Sequence, residues 1–176
     1  LAQPTVEPIP IERFFQRPAV LEAKLSPSGK QLALTTAKGG NRVGLVVVDL
    51  GDGNKATRAG GFSDADIVQF DWVGEKRLVF SVADLEAGSG EDRRYAPGLY
   101  AANPDGSDLR QLVRRQGKPF VSSGDSRDRA LEWNHQLLAV PLEQEGVTPE
   151  EVVVGKVSFG DNDIRSLTPM WLNVRT

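Results

Sequence analysis

The sequence predicts an all-β fold: a partial β-propeller of about three four-stranded antiparallel blades, preceded by a short N-terminal helix. Three observations predict this. From residue 19 onward, short runs that are apolar or alternate with period two lie between turn signals rich in Gly, Pro, Asn and Asp. The strand-and-turn unit recurs at roughly 45 to 50 residues, a spacing typical of propeller blades rather than helical solenoids. A four-stranded sheet of this kind buries its faces only against neighbouring sheets.

Composition limits the function classes. The chain has 176 residues, of which 39% are hydrophobic and 26% charged, as in an ordinary globular domain. The net charge of −3 offers no attraction for phosphate backbones or anionic lipid, so we expect no nucleic-acid and no membrane partner. The absence of cysteine excludes disulfides and thiolate metal sites, and no other pattern indicates a cofactor or a metal.

The N-terminal residues predict a leader and one helix. Residues 1–10 contain three prolines and are expected to be an extended leader. Residues 11–18 are predicted to form the short helix, which Pro18 ends. Ala2 is a small residue at a plausible signal-peptide cleavage edge, which favours a periplasmic or secreted protein. The alternative is an arbitrary boundary at this position.

Turn signals divide the rest of the chain into blades. Blade 1 is predicted over residues 19–61, with its first hairpin turn at Ser26-Pro27-Ser28-Gly29. Blade 2 is predicted over 62–116, with turns at 74–76 and 103–106. Blade 3 is predicted over 117–169, with strands at 128–133, 136–141, 151–159 and 164–167. Residues 170–176 are expected to begin a further blade.

Two tryptophans support this division. Trp72 and Trp133 occupy the same place in their predicted cycles, one or two residues before a turn. This equivalence predicts that both pack between blades.

Several of these stretches resemble a known family. S-P-S-G-K-Q-L-A-L (26–34) is similar to the S-P-D-G-K blade motif of periplasmic translocation proteins and peptidases, with Ser28 in place of Asp. N-P-D-G-S-D-L-R-Q-L (103–112) resembles the pattern that ends such blades. The leader P-I-E-R-F-F-Q-R-P-A-V-L-E-A-K-L-S-P-S-G resembles the start of prolyl oligopeptidase-family serine peptidases, of the dipeptidyl and acylaminoacyl peptidase type. P-E-E-V-V-V-G-K-V-S-F-G-D-N-D (149–163) resembles a later blade of the same family.

The resemblance implies that catalysis takes place in another domain of the parent protein. In that family a propeller caps a C-terminal α/β-hydrolase domain and limits its substrates to short peptides. The chain would then be the N-terminal part of that propeller, with the hydrolase domain and peptide substrates as partners. The catalytic Ser, Asp and His would lie outside these 176 residues. The alternative is a non-catalytic periplasmic propeller that binds a protein partner.

The residues themselves predict that the chain alone is not an enzyme. A hydrolase of this type needs a G-x-S-x-G elbow. The nearest stretch, residues 61–65, reads G-F-S-D-A, lacks the final Gly and is expected to be a loop between blades. His135, the single histidine, is expected in a hairpin turn, and Asp161-Asn162-Asp163 is expected to be a turn rather than a calcium loop.

Two long segments carry the candidate site residues. Segments 84–97 and 114–127 exceed ordinary hairpin loops, and loops of this length are often functional. Their arginine and aromatic content predicts a loop that contacts peptide substrate or the hydrolase domain. The alternative is a solvated excursion of mixed charge. The candidates are Arg93, Arg94, Tyr95, Arg114, Arg115 and Phe120.

An open set of blades also predicts self-association. Unpaired strand edges and an uncovered blade face favour pairing with another copy.

Overall fold

The computed structural model describes residues 19–38, 41–86, 98–115, 129–142, 149–160 and 165–176. Within these ranges the chain is all-β, with eleven strands in three antiparallel sheets and no helix. The predicted leader and helix at residues 1–18 lie outside the described residues. No helix in the described ranges is long and apolar enough to span a bilayer.

Sheet 1 has four strands in the order β1-β2-β3-β4. The turn at residues 26–30 joins its first two strands, with the Gly29 amide donating to the Ser26 carbonyl at 2.8 Å. Gly29 has φ of +71°, a conformation that glycine adopts without steric cost. The first hairpin turn lies where the sequence predicts it, and the strands are β1 (Glu22–Leu25), β2 (Gln31–Thr36), β3 (Gly44–Asp49) and β4 (Lys55–Gly60).

Sheet 2 repeats this arrangement, with strand order β5-β6-β7-β8. A tight turn at 74–76 joins its first two strands, and a longer turn at 103–109 joins the last two. Both turns lie where the sequence predicts them. The strands are β5 (Asp66–Val73), β6 (Arg77–Ala83), β7 (Leu99–Ala102) and β8 (Arg110–Val113).

Sheet 3 has three strands within the described residues, in the order β11-β10-β9. They are β9 (His135–Ala139), β10 (Glu151–Phe159) and β11 (Arg165–Asn173). β10 and β11 pair along nine consecutive positions, from Glu151 opposite Asn173 to Phe159 opposite Arg165.

The third predicted cycle differs from the structure by one strand. Instead of a strand ending at Trp133, Leu131 makes a single parallel bridge to Val113 at the edge of sheet 2. The first strand of sheet 3 is β9, and residues 170–173, which were expected to begin a further blade, continue β11. β11 contains Pro169, which lies opposite Gly155 of β10. Proline is tolerated in β11 because this is an edge strand among the described residues.

The predicted equivalence of the two tryptophans fails because the predicted strand that ends at Trp133 is absent from the described residues. Trp72 is buried in β5, and its indole Nε1–H donates to the Lys24 carbonyl at 3.0 Å. Trp133 lies in the turn before β9 and is 37% exposed. The two side chains therefore have different environments, and Trp133 gives no support to the repeat register.

The three sheets stack through two apolar clusters. One cluster lies between sheets 1 and 2 and includes Leu45, Phe70 and Phe80. The other lies between sheets 2 and 3 and includes Val79 and Val152. Successive side chains of a strand point to opposite faces, so β6 contributes alternately to both clusters. Sheet 2 is therefore covered on both faces, and burial of each such side chain stabilises the fold by about 1.5 to 3 kcal/mol.

Polar contacts fix sheet 1 against sheet 2. The Lys24 ammonium of β1 donates to the Phe70 carbonyl at 2.7 Å and to Asp71 Oδ2 at 3.0 Å. At another point, the fully buried Asp66 carboxylate accepts hydrogen bonds from the Val43 amide at 2.7 Å and from Arg42 Nη1 at 3.0 Å. Because these bonds are directional, they define how the two sheets are placed as well as holding them together.

A buried arginine joins sheet 2 to sheet 3. Arg77, at the start of β6, is 1% exposed and is the largest fully buried side chain of the described residues. Its Nε and Nη2 donate to the Val174 carbonyl, at 3.1 and 2.9 Å. Its Nη1 donates to Asn103 Oδ1 at 3.1 Å and to the Asp108 carbonyl at 2.9 Å, and lies 3.0 Å from Asp108 Oδ2. Desolvation lowers the pKa of Arg77, although an arginine remains protonated in proteins.

We predict that Arg77→Met lowers the free energy of unfolding by about 3 kcal/mol, because the buried Val174 carbonyl loses both of its bonds to the guanidinium and the link from sheet 2 to sheet 3 is broken. Arg110→Met is the matched control. Arg110 also pairs with Asp108, at 2.9 Å, but its side chain is 46% exposed, so the change should stay within about 0.5 kcal/mol. Urea unfolding measures both. Equal small effects in the two variants would contradict the structural role of Arg77.

Candidate functional site

The described residues form an open groove between sheets 1 and 2, with a volume of about 550 Å³. This volume lies within the range of small-ligand sites. Strand residues of sheet 1, the turns at 50–54, 74–76 and 103–109, and the C-terminal end form its walls. The lining residues are Gln31, Val47, Asp49, Asp52, Lys55, Thr57, Glu75, Lys76, Asn103, Pro104, Asp105 and Arg175.

The sheet 1 wall depends on an Asp-centred turn. Asp49 Oδ1 accepts hydrogen bonds from the amides of Gly51 at 2.8 Å and Asp52 at 3.1 Å. Gly53 and Asn54 both have positive φ, near +60°. Asp, Asn and Gly favour such turns because they bond locally or tolerate the left-handed conformation. This local geometry places Asp52 and Lys55 at the groove.

The sheet 2 wall is the turn N-P-D-G-S, which the sequence predicts. The Asn103 amide donates to the Ser107 carbonyl, and the Gly106 amide to the Asn103 carbonyl, both at 2.9 Å. Asp105 Oδ1 accepts from Ser107 Oγ at 2.6 Å and from the Ser107 amide at 2.9 Å. The Ser107 hydroxyl bond, followed by the amide bond, lowers the pKa of Asp105 below its ordinary value of 3.8. Asp105 is therefore a carboxylate at neutral pH.

The groove carries charges of both signs. Its carboxylates belong to Asp49, Asp52, Glu75 and Asp105, and its cations to Lys55, Lys76 and Arg175. Some of these groups are already engaged, since Glu75 accepts a hydrogen bond from the Ser28 amide and Arg175 Nε lies 3.1 Å from Glu150 Oε1.

Three of the charged groups remain available to a ligand. The Asp52, Lys55 and Lys76 side chains make no hydrogen bond or ion pair within the part of the chain that the structure describes. These three groups can bind a polar ligand that carries positive and negative charges, such as a peptide segment. Among the described residues, no group of three or more metal-ligating side chains lies together.

Two of the sequence-predicted site residues are described, and both lie away from this groove. Arg115 Nη1 contacts both carboxylate oxygens of Asp64, at 3.2 and 3.0 Å, and Arg114 Nη1 lies 3.3 Å from Glu132 Oε1. Both arginines therefore make ion pairs within the chain. Arg93, Arg94, Tyr95 and Phe120 lie outside the described residues.

Arg115 borders an aromatic cluster. The rings of Phe62 and Tyr100 are 4.8 Å apart, and those of Phe80 and Tyr100 are 6.0 Å apart. Burial raises the pKa of Tyr100, although the neighbouring Arg115 lowers it in part. The contacts of Arg115 fix the end of β8 against the connection between sheets 1 and 2. Arg115 therefore has a structural role in the described chain.

The remaining sequence candidates take structural positions. Residues 61–65 connect sheet 1 to sheet 2, as expected. His135 was predicted in a turn, but it is the first residue of β9. It is buried, and its Nδ1 lies 2.8 Å from the Glu132 carbonyl, so its ring contacts the backbone. Asp161, Asn162 and Asp163 lie outside the described residues.

We predict that Gly106→Ala destabilises the fold by at least about 1 kcal/mol more than Gly53→Ala. Both glycines have positive φ, but a Cβ at Gly106 would lie 2.6 Å from the Arg58 carbonyl oxygen, whereas one at Gly53 meets no atom within 4 Å. The difference between the two losses of stability therefore reports the close approach of the 103–109 turn to sheet 1. Chemical unfolding of both variants checks it, and equal losses would contradict this approach.

We also predict that Ser107→Ala raises the pKa of Asp105 toward its ordinary value, because the hydroxyl bond is lost while the amide bond remains. A carboxyl with a depressed native pKa stabilises the fold above its unfolded pKa, and this contribution disappears as pH falls through the native pKa. The variant should therefore be less stable than the wild type at neutral pH but not in strong acid. Carboxyl ¹³C titration by NMR measures the pKa. Ser166→Ala, at an exposed hydroxyl in β11, is the control.

No family model and no curated protein matches the chain. The fold is similar to a crystal structure from Clostridium novyi NT, of a conserved protein that is described as a lipoprotein. The TM-score is 0.52 at 15% sequence identity, and the match covers 90% of this chain and 89% of that one. At this identity the likeness shows a shared fold and nothing about activity.

Proposed function

We propose that the three sheets are consecutive blades of a β-propeller and that the chain is a non-catalytic propeller segment. The observation that carries this proposal is the packing of sheet 2, whose β6 is buried from Arg77 to Val82 between the other two sheets. Propeller blades stack face to face in this way. The turn at 26–30 also contacts the turn at 74–76, through the Ser28 amide and Glu75, as expected for equivalent turns of adjacent blades.

We further propose that this segment belongs to a serine peptidase of the prolyl oligopeptidase type and limits peptide access to its hydrolase domain. The support is the resemblance of the described S-P-S-G and N-P-D-G turns to blade motifs of that family. Both stretches fold as turns between adjacent antiparallel strands. In such a protein the groups that cleave the peptide lie in the hydrolase domain, and the propeller contributes size selection and contacts.

A periplasmic or secreted location is part of this proposal. The fold neighbour from Clostridium novyi NT is described as a lipoprotein, and lipoproteins are attached outside the cytoplasm. The lack of cysteine is compatible with that location.

A protein-binding propeller is the second candidate, and the groove between sheets 1 and 2 favours it. The groove is open, and its Asp52, Lys55 and Lys76 side chains are free of ion pairs with the described residues. An extended segment of a partner protein that carries both Lys and Glu side chains would match these charges.

A fluorophosphonate probe on the full-length parent protein separates the two candidates. We expect covalent labelling of one serine downstream of residue 176, in a G-x-S-x-G sequence that is followed by Asp and then His. Heat-denatured protein is the control, since labelling of a catalytic serine requires the folded site. A parent protein in which no serine is labelled, or in which no such motif follows, would overturn the peptidase proposal and favour the binding module.

A further inference from the structure

The sequence contains two Asp-Gly pairs, and the structure places them in corresponding turns with different surroundings. Asp52-Gly53 lies in the turn between β3 and β4, and Asp105-Gly106 in the turn between β7 and β8. Aspartate reacts with its own backbone most readily before glycine, because glycine has no Cβ to hinder the approach of its amide nitrogen to the preceding carboxyl group. The two turns therefore present one chemical reaction in two environments.

Both reacting groups of the first pair are accessible. Asp52 and Gly53 are exposed. Within the part of the chain that the structure describes, the Asp52 side chain makes no hydrogen bond or ion pair, and the Gly53 amide makes no hydrogen bond. The turn is closed by the Lys55 amide, which donates to the Asp52 carbonyl at 3.1 Å and leaves both groups free. Neither group has to give up a hydrogen bond of the described chain to reach the other.

Both reacting groups of the second pair are held. Asp105 Oδ1 accepts hydrogen bonds from Ser107 Oγ at 2.6 Å and from the Ser107 amide at 2.9 Å. The hydroxyl bond, followed by the amide bond, lowers the pKa of Asp105, which reduces the fraction of the acid form that the reaction consumes. The Gly106 amide donates to the Asn103 carbonyl at 2.9 Å. A Cβ at Gly106 would lie 2.6 Å from the Arg58 carbonyl oxygen, so this turn also has little room to move.

We propose that Asp52 isomerises spontaneously to isoaspartate in the folded protein, whereas the contacts of Asp105 protect it from the same reaction. The Gly53 amide nitrogen attacks the Asp52 carboxyl carbon. An N–C bond forms, the carboxyl C–O bond breaks, and the hydroxyl group leaves as water with the amide proton. The product is a cyclic succinimide. Water then adds across one of its two C–N bonds, and cleavage of the bond to the original main-chain carbonyl gives isoaspartate.

The reaction alters the groove without changing its net charge. In isoaspartate the main chain runs through the side-chain carbons, so the turn gains one backbone atom. The Asp52 carbonyl that accepts from the Lys55 amide becomes the free carboxylate. Because Asp52 lines the groove between sheets 1 and 2, the position of a negative charge at one groove wall changes as the protein ages. The inference depends only on the two turns and is independent of the peptidase and binding proposals.

Incubation of the full-length parent protein at neutral pH measures both sites in one sample. Proteolysis and mass spectrometry with electron-transfer fragmentation follow, since this fragmentation distinguishes isoaspartate from aspartate at equal mass. We expect isoaspartate to accumulate at least about tenfold faster at residue 52 than at residue 105, because several hydrogen bonds must break before Asp105 can react. Urea-denatured protein is the control. Its two sites should react at similar rates, because the contacts that distinguish them are lost.

Two variants test the cause of the difference. Asp52→Glu should abolish the product at residue 52, because the longer glutamate side chain forms the corresponding ring far more slowly. Ser107→Ala should accelerate the reaction at Asp105, because it removes the hydroxyl bond, and should leave the rate at residue 52 unchanged. Ser166→Ala, at an exposed hydroxyl in β11, should change neither rate. Circular dichroism verifies that each variant is folded.

Three outcomes would overturn the proposal. They are equal rates at the two sites of the folded protein, a rate at residue 52 far below that of the denatured protein, and an unchanged rate at Asp105 in folded Ser107→Ala. The first and third would contradict the protection of Asp105, and the second the accessibility of Asp52. Serine labelling and partner binding are separate measurements, so these outcomes are distinguishable from failure of either proposed function.

Discussion

The position of sheet 3 depends on the guanidinium of Arg77. Burial of this cation is costly, and the cost is met because all three of its nitrogens find oxygen acceptors. Those acceptors come from the turn at 103–109 and from Val174, immediately after β11. One side chain at the start of β6 therefore orients the last strand of the described chain and one wall of the groove. An apolar side chain at this site would fill the space without specifying either position.

The burial of sheet 2 on both faces explains the sequence pattern of β6. β6 reads R-L-V-F-S-V-A and is almost continuously apolar, the pattern of a strand buried on both faces. β1 and β11 lack that pattern because each has a face that is not buried in the described chain. Leu25 of β1 and Trp171 of β11 are 57% and 61% exposed in the described chain. The sequence pattern of a strand therefore reflects how many of its faces are buried.

Sheets 1 and 2 were predictable because local residues determine their turns. Gly29, Gly74 and Gly106 have positive φ at the predicted turns, and the apolar runs between these turns mark the strands. Sheet 3 was not predictable to the same degree. The sequence was divided after residue 169, whereas β11 continues to Asn173. His135 follows Asn134, a residue type common in turns, but it begins β9. The groove was inaccessible to sequence reasoning because its walls are turns of different sheets, which only the stacking brings together.

In this stacked arrangement, the residues that stabilise the fold differ from those that line the groove. The apolar clusters between the sheets hold the fold, while the groove is lined mainly by turn residues and by polar ends of strands. Asp52 and Lys76 contribute no ion pair within the described chain, so substitutions there change the charge of the groove at little cost in stability. A scaffold whose sheets pack only with their neighbours can therefore present many different turn surfaces. In the proposed protein-binding role, the turn residues at the groove, rather than the strand residues between the sheets, would set the choice of partner.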